Sequence, residues 1–476
     1  MDKVKFRIES DSIGEKEIPA DAYYGINAAR AAENFPITGR TIHKELIVSL
    51  AQVKKAAAIS NYEAGLMTEE VKDAIAQACD EIIDGKFHDQ FICDPIQGGA
   101  GTSANMNANE VIANRANEIL GGELGVYDKV HPNDHVNMGQ STNDAFPTAG
   151  KITALKLVEK TLEELRKLQE ALLEKAKEFD KVIKMGRTHL QDAVPIRLGQ
   201  EFQAYASVIK RDIARVDKAF NSLRVVNMGA SAVGTGINVD TVYLEKVVPN
   251  LNKVIDLGLS QAEDLVDGVQ NLDGFVEASS AIKTAAVNLS KMANDLRLMS
   301  SGPRCGLAEI KLPERQAGSS IMPGKVNPVI AEVMNQVAFN IIGNDMTVTM
   351  AAEAGQLELN VFEPVLFYNL FESIETLGNG VRTFRENCIV GIKANVERCK
   401  SYVDNSVGVI TAIVPHVGYK NAARVAKRAI ESGEAVREIV LEEGLLTEEE
   451  LDQILDPFAL TEPGIAAKHL LDKKDE

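Results

Sequence analysis

The chain has little that would bind it to a nucleic acid, a membrane or an oxidising compartment. Lys and Arg total 51 against 69 Asp and Glu, a formal net charge of -18, and phosphate binding needs the opposite balance. That acidity still leaves room for an anionic substrate, because a few local cations and backbone dipoles dominate a small pocket. Cysteine is scarce: Cys79, Cys93, Cys305, Cys388 and Cys399 are scattered, odd in number and without a C-x-x-C pair, which argues against disulfide staples and thiolate metal sites. No run of 18 apolar residues occurs, and MDKVKFRIES offers no secretory signal. Repeats and low-complexity tracts are also missing. These absences predict a cytoplasmic protein with neither a membrane nor a nucleic acid as partner.

What is present is length and helical periodicity. At 476 residues and 45% apolar content the chain exceeds one ordinary core, so two or three domains are predicted unless very long helices organise it. From Lys151 to Asp180 apolar residues fall at Leu155, Val158, Leu162, Leu165, Leu168, Leu172, Ala176 and Phe179, in steps of three and four without Pro or Gly. This predicts a helix of up to ~45 Å. Similar stretches run from Ile196 to about Val226, Ala262 to Ser300, Asn327 to about Ala354 and Glu363 to about Asn395. Packed antiparallel, they imply a bundle. The preceding segment, Ile92 to Pro147, is rich in Gly, Asn, Ser, Thr and Pro, as irregular loops are. Later helices are shorter: Gly444 can end one, and Thr447 with Glu450 offers a capping box for the next. Composition thus divides the chain into residues 1–140, a central helical domain over 141–396 and a small helical domain over 397–476.

Several polar segments carry candidate chemistry. GGAGTSANMN, from Gly98 to Asn107, offers free backbone N–H groups and two hydroxyls to an anion, and is also a plain glycine-rich turn. GASAVGTGIN, from Gly229 to Asn238, lacks the third glycine of a dinucleotide fingerprint and lies between helical stretches, which argues against a nucleotide site. HPNDHVNMGQSTND, from His131 to Asp144, holds two histidines, but Pro132 and the lack of an H-E-x-x-H context argue against a metal. Its end sets Ser141, Thr142 and Asn143 before the first long helix, where neutral donors can meet a carboxylate or simply cap the helix. GRTHLQDAVP, from Gly186 to Pro195, puts His189 beside Thr188 between two long helices, with structural and catalytic roles both open.

The stretch GSSIMPGKVNP, from Gly318 to Pro328, is the most unusual. It fails as a P-loop, because five residues separate its glycines and Val326 follows the lysine; Lys325 is also too far from either serine for a Ser-x-x-Lys motif. A serine acts as a base only if its alkoxide is stabilised by backbone N–H groups or a cation, and a glycine-hinged loop carrying a lysine could supply both.

Taken together, these segments resemble the fumarase/aspartase superfamily, whose hallmark G-S-S-x-M-P-x-K-x-N is matched by Gly318, Ser319, Ser320, Met322, Pro323, Lys325 and Asn327. GTSANMNANE, QSTNDAFPT with GRTHLQDAVP, and the loop itself agree with the family in order, and the likeness runs from RIESDSIGEKEIPADAYYG to GLLTEEELDQIL. Its aspartase branch is nearer than the fumarases, which usually have Q-S-S-N-D where Thr142 stands and commonly a tryptophan where Tyr24 stands. PADAYYG, KVNPVIAEVMNQV and GNDMTVTMAAEAGQLELNVFEPV are also closer to aspartases. Gly139 and Ala230-Ser231 depart slightly from that branch.

The resemblance implies a mainly α, three-domain fold whose long helices form a twenty-helix core in a homotetramer, with active sites assembled from three subunits. It implies reversible elimination of ammonia from L-aspartate, a small dicarboxylate substrate, through an aci-carboxylate. Ser319 would be the base; Thr102, Ser141, Thr142 and Ser320 would surround the β-carboxylate; Lys325, Asn327 and Thr188 would hold the α-carboxylate. Asn143 and His189 would contact the amine, with Glu332 behind His189. No organic cofactor or catalytic metal is implied, and any divalent ion would be an activator. The alternatives are a class II fumarase-type hydratase and a non-catalytic relative of the lens-crystallin kind.

Overall fold

The computed structural model describes residues 5–472. Helices dominate, and the strands are short pairs. Two compact units are each assembled from three stretches of chain: Met1–Glu163, Ala214–Ala286 and Ala338–Gly378 form one, and Glu164–Ile213, Val287–Val337 and Asn379–Glu476 form the other.

The first unit opens with an antiparallel hairpin, Phe6–Asp11 against Gly14–Pro19. The following helix, Ile26–Asn34, has no side-chain cap of its own. Its free N–H groups are met from elsewhere: Glu110 accepts from Gly25, Asn27 and Ala28, and Glu9 accepts from Ile26. Glu110 lies on the helix Thr102–Ile119, in a segment whose composition predicts irregular loop. Asparagines weaken an isolated helix, but here they are buried and bonded. Asn107 spans Gln90 and Ile92, Asn114 reaches Tyr23 and Tyr127, and Asn117 holds Lys129 and Val130. Tertiary hydrogen bonds therefore override propensity.

The long helices follow the periodicity with shifted ends. All eight stripe residues from Leu155 to Phe179 are buried. Their helix nevertheless begins at Thr142 rather than Lys151 and contains Pro147. Proline cannot donate to the carbonyl four residues back, that of Asn143. The Asn227 side-chain amide donates to that carbonyl instead, at 3.0 Å, so the helix tolerates its proline. The stretch from Ala262 breaks into Leu265–Gln270 and Asp273–Met299, and that from Glu363 ends at Asn387.

In the second unit, the segment between the long helices is a β-hairpin, Ile183–Thr188 against Gln191–Arg197. A buried ion cluster anchors its first strand: Glu309 pairs with Lys184 at 3.0 Å and with Arg187 at 2.7 Å. The C-terminal helices pack around Ile413, Val425, Ile439, Val440, Leu451 and Ile454. There the capping box of Thr447 and Glu450 forms as the sequence predicts. Among the described residues no helix is long and apolar enough to cross a membrane.

Candidate active site

Each unit carries its own set of polar groups. In the first, the QSTND turn divides its hydroxyls between structure and chemistry. Ser141 caps the helix: its Oγ accepts from Asn143 N, and its own N–H donates to Asp144 Oδ1 at 2.9 Å. Asp144 Oδ2 also accepts from Gly229 and Ser231, so the glycine-rich Gly229–Asn238 segment is a buckle docked on a buried carboxylate. Asn143 closes the same buckle by donating to Ala232 O at 2.8 Å. Thr142 is buried, and its Oγ1 accepts from Asn105 Nδ2 at 3.1 Å. Its hydroxyl proton is therefore available to a further acceptor. Thr102 starts the helix that carries Asn105; it is exposed and donates to Gly99 O at 2.7 Å.

Behind the turn lies a set of residues whose role sequence reasoning missed. Lys54 is fully buried on the helix Lys44–Glu63, and its Nζ donates to Asn137 Oδ1 and Gln140 Oε1, both at 2.9 Å. Burial pulls its ammonium down to about 7. Burial likewise lifts the Asp144 carboxyl up to about 6, against the pull of three backbone donors and Lys54. One signal was available. Ile47, Leu50, Lys54, Ala57 and Asn61 share one helical stripe, and a lysine among residues so placed is buried.

In the second unit Thr188, His189 and Leu190 sit at the exposed hairpin tip. His189 and Leu190 have φ of 54° and 60°, a left-handed conformation that side-chain-bearing residues rarely adopt. Such strain clusters where a side chain must be presented. The Gly318–Pro328 loop supplies the rest. Ser319 Oγ accepts from the backbone N–H of Ile321 at 3.2 Å and of Met322 at 3.1 Å. Asn327 closes the loop neck by donating from Nδ2 to Gly318 O at 2.8 Å. Ser320 and Lys325 are exposed, and Glu332 is half-buried in the first turn of the helix Val329–Glu353. Within the described residues of this single chain, Glu332 and His189 are not ion-paired.

A family model described as lyase matches residues 14–343, and one described as fumarase C C-terminus matches residues 409–462. Similar proteins include an aspartate ammonia-lyase of Bacillus subtilis, 59% identical over 98% of this chain and 99% of that protein. One of Helicobacter pylori is 51% identical over 97% and 99%. Among solved structures, a cobalt-bound fumarate lyase:delta crystallin from Brucella melitensis superposes with a TM-score of 0.94 at 49% identity, covering 96% of this chain and 100% of that one. A class II fumarase from Schistosoma mansoni does so at 0.93 and 37%, with the same coverage.

Proposed function

The chain belongs to the fumarase/aspartase superfamily of lyases, and from that premise we propose that it catalyses the reversible elimination of ammonia from L-aspartate to give fumarate. Full-length similarity to aspartate ammonia-lyases favours ammonia over water as the leaving group. The observation that carries the chemistry is the pair of backbone N–H groups on Ser319 Oγ, the environment a serine alkoxide needs.

Ser319 takes the Cβ proton. The C–H electron pair enters the β-carboxylate as an aci-carboxylate, then returns to form the carbon–carbon double bond as the Cα–N pair leaves with ammonia. The extra charge on the carboxylate calls for donors held in place beforehand, and Thr142 meets that requirement because its oxygen is already occupied as an acceptor. By family correspondence Thr102, Ser141 and Ser320 complete the set; Ser141 Oγ already accepts from Asn143 N, whereas Thr102 must first release Gly99 O. Lys325, Asn327 and Thr188 hold the α-carboxylate, while Asn143 and His189 face the amine, with Glu332 supporting His189. The carboxylate is itself the electron sink, so the step needs no organic cofactor, and a divalent ion enters only as an activator.

The three-part division at residues 140 and 396 is retained as the family arrangement, in the cytoplasm and as a homotetramer. An exposed apolar stripe supports self-association: on the helix Val329–Glu353, Phe339, Met346 and Met350 are 63%, 62% and 64% exposed. Isolated large apolar residues are ordinary on a surface, but a helical row of them asks for a partner.

Ultraviolet detection of fumarate from the purified protein, with L-aspartate in one cuvette and L-malate in another, tests the reaction. Signal from aspartate alone is the expected result; signal from malate alone moves the chain to the fumarases, and silence in both favours a non-catalytic relative.

A further inference from the structure

Lys54 takes no part in the reaction, yet it is a fully buried lysine three hydrogen bonds removed from the Thr142 hydroxyl. Its Nζ carries hydrogens and faces two side-chain oxygens, Asn137 Oδ1 and Gln140 Oε1. Gln140 cannot turn its amide round, because Nε2 is held by the carbonyls of Val136 and Met138 at 3.0 and 3.1 Å. Asn137 is held likewise, with Nδ2 on Gln140 O. Asn137 Oδ1 then accepts from Asn105 Nδ2 at 3.2 Å and from Asn109 Nδ2 at 3.1 Å. Asn105 Nδ2 is also the donor to Thr142 Oγ1.

Asn137 Oδ1 is thus a shared acceptor for Lys54, Asn105 and Asn109, and Asn105 turns the same Nδ2 to both Asn137 and Thr142. Were Asn137 to present its amide nitrogen to Lys54 and Asn105, donors would face donors, and Asn105 would have to turn its oxygen toward Thr142. The threonine would then spend its proton inward. We propose that Lys54 is a positioning residue for the elimination: together with the Gln140 carbonyl it fixes the Asn137 amide, and through Asn137 and Asn105 it directs the Thr142 hydroxyl proton outward to the substrate carboxylate. This rests on the reading of Thr142 as a carboxylate holder given above.

Two further facts fit. Asn61, Asn105 and Asn109 each leave a buried side-chain oxygen without a partner, so the patch has acceptors to spare and Lys54 is its concentrated source of hydrogens. The ionisable groups acting on Lys54 are Asp144 and Cys79; burial pushes the thiol up, which leaves Asp144 as the adjacent anion. Whether as amine or ammonium, Nζ has the two hydrogens its acceptors need, so the arrangement survives loss of the charge.

The test is a double-mutant cycle on kcat/KM for L-aspartate, with tetramer integrity checked by light scattering. In the unmodified protein Thr142→Val is expected to cost about 10²- to 10³-fold. In a Lys54→Met background, where the hydroxyl is already misdirected, the same change should cost less than about 10-fold. Lys54→Gln, which keeps two N–H groups, should restore part of the loss. Lys55→Met, on the neighbouring lysine paired with Asp80 at the surface, should leave activity unchanged. If Lys54→Met does not assemble, Asn105→Ala with and without Thr142→Val examines the next link. Additive losses in an active enzyme overturn the proposal alone, since a merely structural lysine would not couple to the threonine. An unmodified protein inactive on aspartate removes the functional reading, and this inference with it.

Discussion

The carbonyl oxygen of Lys325 occupies the place where a side chain on Gly318 would begin: a Cβ built there would stand 1.9 Å from it. The neck of the serine loop is thus closed backbone to backbone. Gly318→Ala must push the neck apart, moving Ser319 at one end relative to Lys325 and Asn327 at the other. Displacement of reacting groups by ~1 Å costs about 10²-fold, so kcat/KM for aspartate should fall by about that factor while the assembly stays intact. Steady-state kinetics beside gel filtration provides the check, and near-normal activity would show that the neck can open at no cost.

The two serines of the loop should separate in mutant kinetics. Ser319 Oγ is the one that receives two backbone N–H groups, and no neighbour can replace it as base. Ser319→Ala is therefore expected to lower kcat by more than about 10³-fold, whereas Ser320→Ala should cost about 10² to 10³, as loss of one oxyanion donor does. Turnover measured on both variants decides this. The reverse order would transfer the base role to Ser320.

Gly343 lies inside the helix Val329–Glu353, on the side that exposes Phe339, Met346 and Met350, and a Cβ there meets nothing within 4 Å. A mid-helix glycine costs about 1 kcal/mol relative to alanine, and nothing among the described residues accounts for that cost. In the proposed homotetramer, close approach by a helix of a second copy would. Gly343→Leu should accordingly break the assembly into smaller species in sedimentation, whereas an unchanged mass would locate the subunit contact elsewhere.

Much of the fold was legible because burial follows periodicity: the stripe from Leu155 to Phe179 is buried throughout. The ends of that helix were not, because its start depends on Asn227 relieving a proline 80 residues earlier in the chain (147 to 227), a pairing that no local pattern encodes. The asparagine-rich helix from Thr102 was hidden for the same reason, since its propensity is poor and its hydrogen bonds are tertiary. At the site, residue types revealed Ser319 and Asn327, whose bonds are local to the loop. The hairpin beneath His189 needed its cross-strand partner, and Lys54 needed four side chains from elsewhere to give it a role.

Glu363 gives the acid side of stability a clear sign. It is buried at the start of its helix, and burial lifts its carboxyl from the ordinary 4.5 to about 8, only partly opposed by Lys151. Lys151 is itself pulled down by burial, with its Nζ on the Val225 carbonyl. Below pH 4.5 the carboxyl is protonated whether the chain is folded or not, and its contribution is fully present. Between 4.5 and about 8 the unfolded chain releases the proton while the folded chain keeps it, so stability falls as pH rises through that window. Glu363→Gln keeps the shape and the neutral state but abolishes the titration. The variant should match the parent near pH 4.5 and exceed it near pH 8 by a margin of order 3 kcal/mol, read from thermal or urea unfolding at both ends. A variant weaker than the parent at the upper end would mean that Glu363 is ionised and paired with Lys151, with the cost of removing one partner from a buried pair.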